Sequence, residues 1–133
     1  MTERTSVVAE SLARCLNDSR FLDRFYELFV SSSDSVADKF RDTDFDNQKR
    51  VLASSLYLMI MAMESGEAAV AYMERIASRH NRDDLDIRPE MYDVWLDCLV
   101  CAASACDPSF SDEIEQNWRE VMRFGIEFMR KRH

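Results

Sequence analysis

Glycine and proline are scarce in this chain, which contains two of each among 133 residues. Average usage would give roughly nine glycines and six or seven prolines in a chain of this length. Sheet proteins need many tight turns, whose positive φ angles glycine adopts most easily. The scarcity therefore argues against an all-β protein, a glycine-rich phosphate-binding loop and a disordered linker, and it favours long helices with few breaks.

The length and the charge narrow the class of protein further. A single domain spanning residues 1–133 is expected, because domains usually contain about 100–200 residues. A net charge of −8, from 17 basic and 25 acidic residues, disfavours binding to nucleic acid or to anionic membrane surfaces. The N-terminus shows no secretory signal pattern, and the longest apolar run, Leu56 to Met63, is too short to span a bilayer. We therefore expect a soluble, cytoplasmic protein with neither nucleic acid nor membrane as a partner.

Apolar residues recur at helical spacing through nearly the whole chain, which predicts an all-α fold of about seven helices. The predicted helices differ in length, which is typical of a crossed helical fold rather than of a symmetric bundle. Three long helices are predicted at about Asp46–Glu64, Glu67–His80 and Pro89–Ala105. The predicted N-caps of other helices are Asp18 or Ser19, Asp34, and Ser109 or Ser111.

The four cysteines do not form a recognisable chemical motif. Cys98 and Cys101 have the C-x-x-C spacing, but they lie one turn apart inside an apolar helical run. No second pair or suitably spaced histidine completes a zinc site. Free cysteine is among the most frequently buried residue types, so Cys15, Cys98, Cys101 and Cys106 are predicted to be small buried thiols.

His80 is the single internal histidine, since His133 is the last residue. It ends a predicted helix on the face that carries Met73 and Ile76. An ordinary core or helix-terminal histidine is one interpretation. A lone inward histidine can also serve as the axial ligand of a haem, where the porphyrin supplies the other four donors.

An ordered set of residues surrounds His80 in the sequence. Phe40 lies fourteen positions after Tyr26, and His80 lies thirty-two positions after Gln48. The segment 87–92, Ile-Arg-Pro-Glu-Met-Tyr, then opens the next helix. In order and spacing this set resembles bacterial globins, both the haem module of flavohaemoglobins and single-domain bacterial haemoglobins. Relative to flavohaemoglobins, the Phe40–Gln48 corner is two residues shorter and the His80–Pro89 segment is two residues longer.

The resemblance implies a globin fold in which about seven helices sandwich a haem b, with His80 as the proximal iron ligand. It places Tyr26, Gln48 and Phe25 on the distal, gas-binding side. The side chains expected to contact the haem are Phe40, Leu52, Met73, Ile76, Ile87, Tyr92 and Trp95. Two hydrogen-bond donors aimed at a ligand that gains negative charge would slow the release of O2 more than that of CO.

The function implied by the resemblance is reversible binding of O2 or another diatomic gas, such as NO or CO, for storage or sensing. An enzymatic alternative is nitric oxide dioxygenation with a separate reductase, because no flavin or nicotinamide domain is expected in these 133 residues. Another alternative is a globin-fold signalling or interaction protein that has lost haem, although the presence of His80 argues against it. The resemblance to globin sensors also allows a homodimer through the last two helices.

Overall fold

The computed structural model describes residues 2–64, 67–80 and 87–131, without the side chains of Ala68, Arg79 and His80. These residues form seven α-helices and no strand, as the periodicity predicts. The helices are α1 (Glu3–Leu16), α2 (Phe21–Val30), α3 (Asp34–Lys39), α4 (Phe45–Met63), α5 (Glu67–His80), α6 (Pro89–Cys106) and α7 (Asp112–Arg130). None of the helices in the described ranges is both long and apolar enough to cross a membrane.

Side-chain oxygens fix where most of these helices begin. Ser111 accepts a hydrogen bond from the backbone N–H of Ile114 and caps α7, as predicted. The caps predicted for two other helices are wrong. Ser33, rather than Asp34, caps α3, because its backbone is extended and its hydroxyl accepts from the N–H of Val36. At α2 the N-cap position is Arg20, which makes no side-chain cap bond.

Asp18 still acts just before α2, in a different way from a cap. Its carboxylate accepts the backbone N–H of Arg20 at 2.9 Å and pairs with the Arg20 guanidinium. The local turn is therefore fixed by an aspartate two residues before the N-cap position. The prediction located the correct residue and assigned it the wrong role.

The helices cross and share one apolar core. Helix α2 packs mainly on α6, α1 packs on α7, and α4 packs on α5 and α7. Trp118 of α7 is fully buried among them. Gly125, also on α7, allows a close approach, because a Cβ atom there would lie 2.5 Å from the Cε of Met59 on α4. A side chain at this position would have to displace the flexible end of the Met59 side chain.

A buried polar network joins the first helix to the last two. The Trp118 indole donates to the Ser11 hydroxyl at 2.9 Å, and that hydroxyl donates to Asp107 at 2.6 Å. The Arg14 guanidinium donates to the same carboxylate at 2.6 Å. Burial raises the pKa of Asp107, but the hydrogen bonds from Arg14 and Ser11 outweigh it, so the pKa lies below its ordinary value. These partners offset the cost of burying the charge, and removing one of them would leave a buried charge uncompensated, which costs about 3–5 kcal/mol.

The prediction of buried thiols holds for two of the four cysteines. Cys15 and Cys106 are buried, Cys98 is half-buried, and Cys101 is exposed; all four are free. The prediction is wrong for Cys101, which faces away from the core on α6. Exposed and buried residues alternate within α6 because α1, α2 and α7 cover only part of its surface.

Candidate functional site

Tyr26 lies at the centre of an aromatic cluster between α2, α3 and the start of α4. Its ring centroid is 4.9 Å from that of Phe25, 5.7 Å from that of Phe40 and 5.4 Å from that of Phe45, each in an edge-on arrangement. Only 6% of Tyr26 is exposed. Helix α2 can bury this ring because Phe21, Phe25 and Phe29 recur on the adjacent face and hold the helix against the core.

The hydroxyl of Tyr26 interacts with Gln48, from the first turn of α4. Burial raises the pKa of Tyr26 to about 12, and a side-chain hydrogen bond with Gln48 acts in the opposite direction. The phenol therefore keeps its proton at neutral pH. The two polar residues that the sequence singled out are thus brought together by the crossing of α2 and α4, with Gln48 half-buried beside the aromatic cluster.

Phe45 belongs to this cluster although the sequence analysis missed it. Its ring stacks on that of Phe40 at 6.0 Å and 25°. It lies within an acidic segment that lacks an apolar period, a pattern typical of a corner between helices. Phe45, Gln48 and Leu52 are spaced three and four residues apart, which is the helical signal that would have identified it.

An apolar wall continues from the cluster towards α6. Leu52 is buried one turn beyond Gln48. The Phe25 ring lies 6.1 Å from that of Trp95, edge-on, which connects α2 to α6. Trp95 and Phe40 remain half-buried and pack against the core. Large apolar rings that stay partly open around a buried phenol form a surface suited to an apolar, planar ligand.

Helix α5 contributes the face on which the predicted iron ligand lies. Met73 is buried, Ile76 is half-buried, and Ala77 is buried. His80 is the last residue of α5, four positions after Ile76, so the helical period places it on the same face. The His80 side chain lies outside the described residues, as do residues 81–86. Its role as a ligand stays a prediction.

Two further predicted site residues lie at the start of α6. Ile87 is half-buried just before the helix, and Tyr92 is buried in its first turn. Burial raises the pKa of Tyr92 to about 12, so this phenol is also neutral. The Arg130 guanidinium of α7 donates to the Pro89 carbonyl at 3.3 Å and to Asp93 at 2.7 Å. These bonds fix the start of α6, and therefore the backbone that carries Tyr92.

The described part of the site offers neutral hydrogen-bond donors against an apolar, aromatic background. Within it, no cluster of three or more histidine, cysteine or acidic side chains is placed to hold a metal ion. Such a surface suits an organic group that brings its own metal donors, together with a small ligand that accepts hydrogen bonds.

Comparison with known proteins agrees with the architecture. The globin family model matches residues 12–127. A solved structure, the crystal structure of the protein PA3967 from Pseudomonas aeruginosa PAO1, is described as structurally highly homologous to a human haemoglobin. The chain matches that structure with a TM-score of 0.94 and 32% sequence identity over 98% of each chain. No curated protein matches the chain. The chain belongs to the globin family.

Proposed function

We propose that this globin holds haem b and reversibly binds O2 or another diatomic gas, for storage or sensing, in the cytoplasm of a bacterial cell. One observation carries the proposal: a buried, protonated Tyr26 that interacts with Gln48 inside an aromatic wall. A phenol in this setting costs desolvation energy. A bound ligand that accepts a hydrogen bond from the hydroxyl would offset that cost.

The side chains present fit a haem. Four of the residues proposed to contact it, Phe40, Ile76, Ile87 and Trp95, are apolar, only half-buried and packed on the core. They come from the end of α3, from α5, from the segment before α6 and from α6. A flat apolar group lying among these elements would cover their remaining exposure, which is worth about 25 cal/mol for each Å² removed from water. Leu52, Met73 and Tyr92 complete the proposed contacts.

On the proposed distal side, Tyr26 and Gln48 are the hydrogen-bond donors. Bound haem would supply the iron at which the diatomic gas binds. The Tyr26 hydroxyl keeps its proton and donates to a ligand that carries partial negative charge. The Gln48 amide orients that hydroxyl and adds a second donor. Leu52 and Phe25 exclude water, which strengthens both hydrogen bonds.

On the proposed proximal side, His80 would bind the iron through one ring nitrogen. Its other ring N–H would donate to a backbone carbonyl one turn earlier, such as that of Ile76, which sets the tautomer and the basicity of the imidazole. Tyr92, buried at the start of α6, would support this side. The Arg130 bonds to Pro89 and Asp93 hold the Tyr92 backbone in place.

The absorption spectrum of the protein expressed with adequate haem tests the proposal. A Soret band is expected, together with shifts when O2 or CO is added to the ferrous form. Replacement of His80 by Ala should change the ligand-field bands and lower haem retention. Replacement of His133, the other histidine of the chain, provides the matched control and should change neither. Absence of a Soret band in the unmodified protein would contradict the proposal and favour a haem-free signalling or interaction role.

Nitric oxide dioxygenation is the second candidate, because the Tyr26–Gln48 pair suits a pocket that retains O2 long enough to react. It needs a separate reductase to restore ferrous iron. NO consumption measured with and without an added reductase separates the candidates. Catalytic consumption that depends on the reductase supports the enzyme, whereas stoichiometric consumption supports a binding or sensing role.

A further inference from the structure

Phe45, the first residue of α4, contacts the ring of Tyr26 from outside α2. The centroids of these two rings are 5.4 Å apart, at an interplanar angle of 68°. The Phe40 ring meets Tyr26 in nearly the same way, at 5.7 Å and 66°. Phe40 and Phe45 stack on each other at 6.0 Å and 25°. The Tyr26 ring therefore lies edge-on against a stacked pair of rings.

The position of Phe45 on α4 distinguishes its contact from that of Phe25. Phe25 precedes Tyr26 on α2 and moves with the same backbone, so it does not fix the Tyr26 ring relative to α4. Phe45 and Gln48 are three residues apart on α4 and are neighbours on its surface. The first turn of α4 thus meets the ring of Tyr26 through Phe45 and the hydroxyl through Gln48.

Two polar contacts hold the start of α4 in place. The Asp44 carboxylate accepts the backbone N–H of Asn47 at 3.3 Å and caps the helix. The Lys49 ammonium donates to Asp23 of α2 at 2.8 Å. Asp23 lies three residues before Tyr26, so this ion pair joins α2 to α4 close to the proposed donor. The backbone that presents both contacts to Tyr26 is therefore fixed at each end of the first turn.

We propose that Phe45 is a positioning residue of the gas-binding pocket: its ring, stacked on that of Phe40, confines the Tyr26 ring so that the hydroxyl is aimed at the bound gas. The inference rests on the proposed function, since it concerns the donor proposed for the gas ligand. A confined phenol loses less side-chain freedom when its hydrogen bond forms, so the bond is stronger. Phe45 should therefore set how much more firmly the pocket retains O2 than CO.

Phe45→Leu tests the proposal, because leucine keeps an apolar side chain at this position and removes the ring. The O2 dissociation rate should rise about 2- to 10-fold, which is the rate equivalent of one aromatic pair. The CO dissociation rate should change less, because bound CO carries less negative charge. Phe45 is only half-buried, so the variant is expected to fold.

The same replacement in a Tyr26→Phe background separates positioning from packing. If Phe45 acts through the Tyr26 hydroxyl, its loss should change the O2 dissociation rate of that background by less than about twofold, because the hydroxyl is already absent. A further rise comparable to that of the single Phe45→Leu variant would overturn the proposal.

Phe29→Leu is the matched control within the same aromatic cluster. The Phe29 ring stacks on that of Phe25 at 5.5 Å and meets that of Phe40 edge-on at 5.8 Å. Its loss therefore loosens the rings next to Tyr26 and leaves the Phe45 contact in place. The O2 dissociation rate of this variant should stay within about twofold of that of the unmodified protein. An equal rise in both variants would show that the cluster as a whole governs the rate, and the proposal would fall.

Nuclear magnetic resonance of ring-labelled tyrosine measures the confinement without a gas-binding rate. The sample is the protein as purified, in its CO form where haem is present, and Tyr26→Phe identifies the Tyr26 signals. Ring flips of Tyr26 should be faster in Phe45→Leu and unchanged in Phe29→Leu. Unchanged flips or an unchanged O2 rate in Phe45→Leu would refute the proposal. If the protein held no haem, the role in gas retention would fall with the proposed function, and faster flips would still show that Phe45 confines Tyr26.

Discussion

Replacement of Tyr26 by Phe removes one oxygen atom from the centre of the proposed gas-binding pocket. The phenyl ring keeps its contacts with Phe25, Phe40 and Phe45, so the packing should survive. The lost atom is the hydroxyl, which burial keeps protonated by raising the pKa to about 12. Loss of this donor should destabilise the O2 complex while leaving the fold intact.

The size of the effect follows from the type of bond. A hydrogen bond to a group with negative charge is worth about 1.5–3 kcal/mol in a protein interior. Since about 1.4 kcal/mol corresponds to a factor of ten, the O2 dissociation rate should rise about 10- to 100-fold. The CO dissociation rate should change far less, because bound CO carries less negative charge. Over about pH 6 to 10 the O2 rate should show no titration of Tyr26, whose pKa lies above this range.

Stopped-flow displacement of O2 by CO measures this rate directly. Tyr57→Phe is the matched control, because it removes the same hydroxyl from an exposed position on the outer side of α4. Its O2 dissociation rate should equal that of the unmodified protein. If the Tyr26→Phe rate also stayed within about twofold of it, the assigned role of Tyr26 as a donor would be refuted.

Three further predictions concern stability. Asp107→Asn should lower the free energy of unfolding by about 2–4 kcal/mol in denaturant titrations, because buried donors lose their charged partner; a change below about 1 kcal/mol would contradict this. Gly125→Leu should lower the free energy of unfolding by about 1–3 kcal/mol through overpacking against Met59. An unchanged melting temperature would show that Met59 and the α4–α7 contact adjust to the larger side chain without a loss of stability. The pKa values of Tyr26 and Tyr92 are raised in the fold. The stability that these two protonated phenols contribute is therefore fully present below about pH 10 and is lost as the pH rises towards 12. Thermal melts from pH 8 to 12 check this window, and a melting temperature that does not fall above pH 10 would contradict it.

Helix positions could be predicted from the sequence because they depend on local pattern. Pro89 begins α6 and Glu67–His80 forms α5, as the apolar spacing and the proline position indicated. Where the local signals compete, the sequence was ambiguous. Ser33 and Asp34 are both good N-cap residues, and only the extended backbone at Ser33 decides between them.

The candidate site was only partly predictable. The resemblance to globins identified Tyr26, Gln48 and Phe40, and the structure brings Tyr26 to Phe40 and to Gln48. The sequence pattern did not predict Phe45 as part of the site, because its neighbours are acidic and no continuous apolar pattern surrounds it. The part played by His80 in holding iron depends on a side chain outside the described residues, so it still rests on spacing and family.

The sequence by itself determined that this chain forms helices and where most of them begin and end, since hydrogen bonding and capping within a helix involve residues a few positions apart. Only the tertiary structure decided which helical faces are covered. Cys101 and Val51 lie in apolar stretches and are nevertheless exposed, because none of the helices within the described residues covers their side. The Ser11–Asp107 bond and the Tyr26–Gln48 contact join residues far apart in the chain. Such pairs arise from how the helices cross, which the pattern along any single helix does not specify.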